Sequence, residues 1–398
     1  MDKILKVKKI LITLIFISLA LGQLARVPIG GYVLGLYLWD VLIGAYMILC
    51  EFPKYSKIYP IFYKIGFLWI LWSGAIIIYS YRYFLNLNEY LISISYLIRW
   101  IAYFLFGFLL FIDIRENSSL KKFLSTVIIV FGVLISIGGF IQLLIFPDFS
   151  KLDPSLLWDP HKNRLVGTLF DPNFTGIVLV ITFLFAMYFL LMKNLNHKSK
   201  LILMIYSFLS LFAIFLTFSR SAWLSLAVGI IILGILKYKW IIPLAVVMAF
   251  GAYYLVPRVQ TRIAGFTDPN DSIQYRFESW SEAGLVIKSN PIIGYGFNSY
   301  RYTKRDLGLN SYENELGNRS GGGSDASLLL IWADTGIIGL IIYISFLFSI
   351  ALFSLKKKNI FALAGFFAIL VNSVFINSLI FPHVMILMMS TGALLFND

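Results

Sequence analysis

Apolar residues fall into runs of roughly 20 along this chain, separated by polar segments. A helix needs about 20 apolar residues to cross the hydrocarbon core of a bilayer, so these runs predict membrane-spanning helices. They do not show the period-two alternation of a transmembrane β-barrel. We predict about twelve spans, over residues 10–25, 32–50, 61–80, 90–112, 123–146, 174–192, 201–218, 221–236, 240–256, 326–353, 359–377 and 380–396.

The composition agrees with an all-α polytopic membrane protein. Of 398 residues, 59% are hydrophobic and 13% are charged, and the mean hydropathy is +0.84. Soluble domains have about 45–50% apolar and about 25% charged residues. The single cysteine, Cys50, lies in an apolar run, so a disulfide framework is excluded. The net charge of +13 follows membrane topology, so no nucleic acid partner is expected.

Basic residues predict which helix ends face the cytoplasm. Short inward connections of membrane proteins are rich in lysine and arginine. If the first helix starts inside, each inward connection of this chain is basic. The residues are Lys3, Lys6, Lys8, Lys9, Lys54, Lys57, Arg115, Lys121, Lys122, Lys193, Lys198, Lys200, Lys237, Lys239, Lys356, Lys357 and Lys358. Both termini are therefore expected on the cytoplasmic side of the cell (inner) membrane, with segments 147–173 and 257–325 outside.

The basic start followed by an apolar run also resembles a signal peptide. We interpret it as a retained helix, because the charge pattern is consistent only if that helix is kept. No repeat and no appended soluble domain stands out. The simplest organisation is one membrane domain, residues 1–398, with an outer loop at 147–173 and a larger outer loop at 257–325.

The larger outer loop is the most basic polar interval of the chain and predicts an anion-binding face at the membrane surface. Its basic residues up to Gly339 are Arg258, Arg262, Arg276, Lys288, Arg301, Lys304, Arg305 and Arg319. Residues 275–287 predict an amphipathic helix that begins near Arg276 and lies on the membrane. Its predicted apolar stripe is Phe277, Trp280, Gly284, Leu285 and Ile287. Asn290-Pro291 ends it.

Two further arginines lie next to predicted spans. The connection around Arg220 is so short that its side chain must lie near the outer boundary of the hydrocarbon. Ser219 or Ser221 is suited to cap the next helix, and an arginine beside a helix N-terminus can bind phosphate. Arg164 precedes a helix-start turn that contains Asn173, and it could also bind phosphate oxygens. The alternative for both arginines is an interfacial anchor or a snorkelling side chain.

Asp325 stands at the head of a predicted span among these arginines. An aspartate at that place is commonly a helix N-cap. The alternative is a general base, which needs only hydrogen-bond reach to an acceptor hydroxyl. Inside the spans, Asp40 and Arg99 would be costly unless they pair, and we expect them to pair.

A metal site lacks support in the sequence. His161, His197 and His383 lie in different loops or spans, and no two of them have ligand spacing. No Walker loop and no Ser-His-Asp order occurs. We therefore expect neither a metal nor a cofactor.

Taken together, these separated elements resemble the O-antigen ligase/polymerase superfamily, the WaaL-like and Wzy-like membrane glycosyltransferases. The matching elements are Arg164-Leu165-Val166-Gly167-Thr168, Asp171-Pro172-Asn173, Leu216-Thr217-Phe218-Ser219-Arg220-Ser221-Ala222-Trp223, Arg276, Trp280, Asn290-Pro291-Ile292-Ile293-Gly294-Tyr295-Gly296 and Asp334-Thr335-Gly336-Ile337-Ile338-Gly339. They keep the family's order between the matching helices.

The resemblance implies a GT-C-like fold and an inverting, metal-independent glycosyltransferase whose donor is a polyprenyl-pyrophosphate-linked glycan. Loop 257–325 would form part of its active site. Arg220 and Arg276 would be catalytic, because they would bind the pyrophosphate and stabilise its growing charge. Asp325 would be catalytic as the base for the acceptor hydroxyl. The implied donor- and glycan-binding residues are Arg164, Arg220, Arg276, Asn173, Ser219 and Trp280.

The ligases carry a histidine where this chain has Asp325, which favours a polymerase that extends a polysaccharide of the cell envelope. A ligase acting on another acceptor is the close alternative. A transporter or flippase of an anionic or glycolipid substrate is a second, and a scaffold protein in an export complex is a third. The implied partners are the glycan donor and acceptor, membrane lipids, a chain-length regulator and a flippase.

Overall fold

The computed structural model describes residues 2–29, 34–50, 59–84, 86–152, 158–192, 194–265, 272–309 and 323–397. Within these ranges the chain is almost entirely helical. The helices are α1 Asp2–Leu21, α2 Leu38–Ile48, α3 Ile61–Tyr79, α4 Leu87–Glu116, α5 Ser118–Ile145, α6 Pro172–Met192, α7 His197–Leu216, α8 Arg220–Leu236, α9 Ile241–Leu255, α10 Pro257–Ala264, α11 Ser272–Ser289, α12 Tyr300–Asp306, α13 Ser327–Lys356, α14 Ile360–Phe375 and α15 Pro382–Phe396. The basic residues Lys54, Lys57, Lys193 and Arg319 lie outside the described residues.

Each predicted apolar span contains a helix, so the all-α polytopic class is confirmed. By length and composition, six described helices can cross a membrane: α3, α4, α5, α6, α7 and α13. A seventh span arises if α9 and α10, which meet at a bend of 97°, are counted as one broken span. Helices α2, α8, α14 and α15 are apolar but shorter. The predicted number of twelve spans is therefore not established by helix length.

The predicted span 32–50 is the main local difference. A two-stranded antiparallel hairpin, β1 Arg26–Ile29 with β2 Leu34–Tyr37, precedes α2 and occupies the first part of that run. Helix α2 begins only after Tyr37, whose backbone N–H donates to a carboxylate oxygen of Asp40 (3.1 Å). The apolar run was long enough for a span, but this capping contact fixes where the helix starts.

The expected ion pair between Asp40 and Arg99 is confirmed. The guanidinium of Arg99 lies 3.0 Å from the Asp40 carboxylate and also donates to the carbonyl oxygen of Gly35 (2.6 Å). The hydroxyl of Tyr103 donates to the second oxygen of Asp40 (2.5 Å). The pair therefore joins the hairpin, α2 and α4, and its polar atoms are satisfied within the bundle.

The outer helices α11 and α12 are tied to the bundle by two ion pairs. Lys304 on α12 pairs with Glu282 on α11, and Arg305 pairs with Glu89 on α4 (2.5 Å). These two basic side chains, which the sequence placed in the anion-binding interval, thus hold α12 in place.

Helix α11, which the sequence predicted, packs against protein on one face. Ala283, Val286 and Ile287 are buried, and they pack with Tyr300 of α12 and with Leu330 and Ala333 of α13. Two residues of the predicted apolar stripe, Phe277 and Leu285, are 55% and 49% exposed. Their contact with the membrane stays a prediction.

Candidate functional site

The first outer loop and the turn between α7 and α8 are joined at Arg164. Its Nε donates to the carbonyl oxygen of Thr217 (2.9 Å), and its Nη2 donates to that of Phe218 (3.3 Å). The backbone N–H of Leu165 donates to the carbonyl oxygen of Leu216 (2.9 Å). These bonds satisfy carbonyls at the end of α7 and place Arg164 beside the start of α8.

Ser219 caps α8, as one of the two sequence alternatives predicted. Its hydroxyl oxygen accepts from the backbone N–H of Ala222 (3.3 Å), and the hydroxyl donates to the side-chain oxygen of Asn173 (2.7 Å). Ser219 is fully buried. Ser219 and Asn173 therefore bind each other and hold the starts of α8 and α6 together, which positions Arg220.

Arg220 and Arg258 attach helix α10 to this junction. Arg220 is 9% exposed, and its Nη1 donates to the carbonyl oxygen of Arg262 (3.1 Å). Arg258 donates to the carbonyl oxygens of Asn163 and Lys162 in the first outer loop. The short helix α10 is thus hydrogen-bonded both to the first outer loop and to Arg220 at the start of α8.

The cationic side chains form one electrostatic cluster, which is centred on Arg164. Burial lowers the pKa of Arg164 to about 9, and the positive charge of Arg262 is the next cause. Arg258 and Arg276 lower this pKa further. Asp171 opposes the shift. Guanidinium groups held this close to one another favour binding of an anion between them.

Arg276 on α11 reaches this cluster from the opposite side. Its guanidinium lies 5.7 Å from the ring centroid of Phe375 at the end of α14. The Trp280 ring lies 6.4 Å from the same Phe375 ring, and its indole nitrogen is buried without a hydrogen-bond partner among the described residues. Phe375 ends α14, and α14 packs along α8, the helix that begins with Arg220. Arg276 and Trp280 therefore contact a helix that is adjacent to α8.

Asp325 is not the cap of α13. The N-cap residue is Ala326, and no side chain caps that helix. The backbone N–H of Asp325 instead donates to the hydroxyl oxygen of Ser279 on α11 (3.0 Å). The common role of an aspartate at a helix start is therefore not the role seen here.

The carboxyl group of Asp325 lies within the same electrostatic field. Burial raises its pKa to about 6, while the charge of Arg276 lowers this pKa. The negative charges of Asp171 and Asp159 raise it further. A carboxyl with this pKa is mostly ionised at pH 7 and can accept a proton, as a general base requires.

The segment after α11 docks against a kink in α13. Three backbone hydrogen bonds join them: Tyr295 N–H to Ala333 O (3.1 Å), Gly296 N–H to Asp334 O (2.8 Å) and Ile337 N–H to Pro291 O (2.9 Å). The kink is at Gly336, which has φ +66°. A Cβ there would overlap the carbonyl oxygen of Ile292. Only glycine combines this backbone conformation with so close an approach.

Asp334 secures the same junction from within. It is 3% exposed, and its carboxylate accepts from the backbone N–H of Asn298 (2.7 Å). The two glycine-containing motifs of the sequence therefore form a clamp between segment 291–298 and residues 333–337. The clamp fixes α11, and hence Arg276, relative to α13 and Asp325.

Comparison with known proteins matches the clamp and the helix junction to one family. The family model described as O-antigen ligase (Wzy_C) matches residues 205–344. This matched region, about a third of the chain, is similar to the O-antigen ligase family. A curated relative, the ComP-specific O-oligosaccharyltransferase of Acinetobacter baylyi (strain ATCC 33305 / BD413 / ADP1), is 28% identical over 226 residues. That match covers 53% of this chain and 38% of the relative's length.

The apolar helices indicate an integral membrane protein, and the matched region is similar to a glycan-transferring family. The matched residues include Arg220, Arg276 and Asp325. Arg164 and Asn173 lie before the matched region and reach it through the contacts described above.

The structure also gathers residues that sequence reasoning kept apart. Asp159, His161 and Asp171 each place one possible ligand atom within 4.8 Å of the others. The sequence analysis compared only histidines with one another, so it missed a histidine between two aspartates. Arg262, named there only as one of many basic residues, proves to be a neighbour of both Arg164 and Arg220.

Proposed function

We propose that this protein is a membrane glycosyltransferase of the polymerase type, which transfers a glycan from a polyprenyl pyrophosphate to a hydroxyl of an acceptor glycan. The observation that carries the proposal is the position of Arg276, which influences the pKa of Arg164 on one side and that of Asp325 on the other. An anion site and a candidate base are thereby adjacent. This is the arrangement that transfer from a diphosphate carrier requires.

The donor pyrophosphate binds between the α8 N-terminus and α11. Arg220 is the first residue of α8, so the partial positive charge of the helix end adds to its guanidinium. Arg276 approaches from α11, and Arg164 supports the turn between them. Trp280 lies next to Arg276 on α11 and contacts the glycan or the first carrier unit.

In the reaction, the acceptor hydroxyl oxygen attacks the anomeric carbon and forms the new glycosidic bond. The bond from that carbon to the pyrophosphate oxygen breaks with inversion, and the carrier pyrophosphate leaves with the electron pair. Asp325 takes the hydroxyl proton. The arginines stabilise the charge that grows on the leaving group, which is worth several kcal/mol, roughly the value of an oxyanion-hole donor. This step needs no metal.

The proposal places the active site on the outer face of the inner membrane, with both termini in the cytoplasm. Each site residue lies in a segment that the charge pattern predicts to be outside. Donors delivered to that face require a flippase, and a chain-length regulator would limit the growing polymer. Both are expected partners.

A ligase that transfers the glycan to a different acceptor is the second candidate. The relative from Acinetobacter baylyi is named as an O-oligosaccharyltransferase, which favours transfer of a finished glycan. A transporter is disfavoured, because Asp40 and Arg99 are engaged with each other and with Tyr103 and Gly35. We expect such a pair to stabilise the bundle.

The deciding experiment incubates the purified protein in detergent with a lipid-linked repeat unit and resolves the products by size. A ladder of products establishes a polymerase. A single transfer to an added foreign acceptor establishes a ligase. If neither product forms and vesicles containing the protein move the lipid-linked unit between leaflets, the glycosyltransferase proposal is wrong.

A further inference from the structure

The cluster of Asp159, His161 and Asp171 lies in the first outer loop and at the start of α6. One ligand atom from each residue lies within 4.8 Å of the other two. We propose that these three side chains bind one divalent transition-metal cation, Mn²⁺ or Zn²⁺, which ties the outer loop to α6. The residues lie outside the matched region 205–344. Asp171 belongs to an element that carries the resemblance, but the resemblance gives it no role as a metal ligand.

The side chain of His161 is suited to bind a metal ion. Its Nε2 atom is buried and has no hydrogen-bond partner among the described residues. Buried polar atoms without a hydrogen-bond partner are uncommon in proteins, and such an atom commonly binds a water molecule or an ion.

The backbone around His161 is fixed. Its carbonyl oxygen accepts from the N–H of Phe149 (2.8 Å), and its N–H donates to the carbonyl oxygen of Asp159 (2.9 Å). An isolated bridge between Asp148 and Lys162 pairs the two sides of the loop. Two of the three ligands are therefore held on a short paired segment, which lowers the entropy lost on binding a cation.

The third ligand is held by α6. One oxygen of the Asp171 carboxylate accepts from the backbone N–H groups of Asn173 (2.6 Å) and Phe174 (2.9 Å). Its second oxygen has no hydrogen bond within the part of the chain that the structure describes. An aspartate that caps a helix with one oxygen can offer the other to a cation, and its rotamer is then already fixed.

The spacing and the donor set select the kind of cation. Tetrahedral ligand bonds of about 2.0–2.2 Å place donor atoms roughly 3.3–3.6 Å apart around a metal. Ligand atoms within 4.8 Å of one another therefore have to approach by at most about 1.5 Å. One imidazole with two carboxylates suits Mn²⁺ or Zn²⁺, whereas Ca²⁺ and Mg²⁺ prefer oxygen ligands alone.

The positive charges of nearby arginines disfavour the binding of a cation to this cluster. Arg164 and Arg262 both act on His161. The guanidinium of Arg164, however, donates to the carbonyls at the end of α7. In the other direction, the two carboxylates of the cluster lie within 4.8 Å of each other, and a shared divalent cation relieves the repulsion between their negative charges.

The consequence concerns Arg164, which lies between the ligands in the chain. A cation shared by the loop and α6 would hold the loop closed and keep Arg164 on the α7–α8 turn. This positioning role does not depend on the proposed transferase activity, because it can be measured on the protein without any substrate.

The test titrates the full-length protein in detergent, stripped with a chelator and exchanged into metal-free buffer, with Mn²⁺ or Zn²⁺. Binding is followed by calorimetry, and free Mn²⁺ by electron paramagnetic resonance. The variants are Asp159→Asn and His161→Ala. His197→Ala is the matched control, because His197 stands at the start of α7, away from the cluster. Size-exclusion profiles and melting temperatures without metal establish that each variant is folded.

We expect one cation per chain for the wild type and the control, and at least about tenfold weaker binding in both cluster variants. Hydrogen exchange across residues 158–171 should slow when Mn²⁺ is added to the wild type only. If the wild type binds no cation, or if Asp159→Asn and His161→Ala bind it as tightly as the control, the site does not exist. If binding occurs but exchange in the loop is unchanged, the positioning role is overturned.

Discussion

The backbone N–H of Asp325 donates a hydrogen bond of 3.0 Å to the hydroxyl of Ser279. Ser279 lies one helical turn after Arg276 on α11, so the guanidinium and the carboxyl are presented on neighbouring surfaces of two helices. Arg276 and Asp325 are thus held near each other by a contact that neither of their functional groups makes itself. Replacing either functional side chain should therefore leave the α11–α13 contact intact.

The arginines proposed to bind the donor can be removed one at a time. Arg276→Ala should lower the rate of chain growth by about 10²–10³-fold, since it removes one stabilising donor of the leaving pyrophosphate. Arg220→Ala should do the same. Because Arg220 is buried, Arg220→Lys is needed as a variant that retains a charge and packs similarly; it should recover part of the rate.

The control for this series is Arg82→Ala. Arg82 is exposed and lies over the rings of Tyr79 and Tyr83 at the end of α3, apart from the cluster. The Arg82→Ala variant should extend polymer at the wild-type rate. Polymer lengths equal to wild type in folded Arg276→Ala would contradict the assignment of this arginine.

The roles of Asp325 and Asp334 can be distinguished by the activity and the stability of their variants. Asp325→Asn should reduce turnover far more than Asp334→Asn and leave the melting temperature unchanged, because Asp325 contributes only its backbone to the α11 contact. In Asp334→Asn the amide oxygen can still accept from Asn298 N–H, so the clamp is weakened but not lost. Turnover and thermal unfolding of both purified variants provide the measurement. Equal losses of turnover would leave Asp325 without a catalytic role.

The pH profile should report the Asp325 carboxyl. Its pKa is raised to about 6 by burial, and only the ionised form accepts a proton. Turnover should therefore rise as pH increases through about 6 and level off above it. The residual activity of Asp325→Asn should lack this acid limb. An unchanged limb in that variant would assign it to another group.

Gly336 should be intolerant of a side chain. Gly336→Ala would place an L residue at positive φ, which costs about 1–2 kcal/mol, and would push the Cβ onto the Ile292 carbonyl. We expect a lower melting temperature and loss of activity through displacement of α11. Gly251→Ala on α9 is the matched control, because a Cβ there meets no atom within 4 Å. A Gly336→Ala protein as stable as this control would exclude the clamp.

Much of the architecture was readable from hydropathy. Twelve predicted apolar runs each contain a helix, since burial of apolar side chains in lipid and protein needs satisfied backbone groups along the whole run. The ends of the helices were predicted less accurately where polar contacts determine them, as at the start of α2, where Tyr37 is hydrogen-bonded to Asp40. Helix α11 was predicted from its period, whereas the packing of its Val286 face on α12 and α13 could not be read from local sequence.

The site shows the same division. The arginines were found from their charge and position, but Lys304 and Arg305 proved to be committed to ion pairs with acidic residues far away in the chain. The partners of a charged side chain cannot be read from local sequence, because they come from other elements. The cluster around His161 was missed for a different reason, since its residues are close in the chain but only histidines were compared with one another.

By itself, the sequence determined the membrane class, the helical segments and the motifs that resemble a glycan-transferring superfamily, because hydropathy and local residue order carry that information. Only the tertiary structure decided which charges stay available to an anion, that Asp325 is not a cap, and that two glycine motifs form one clamp. Those features depend on contacts between residues distant in the chain, and such contacts exist only when the helices are packed.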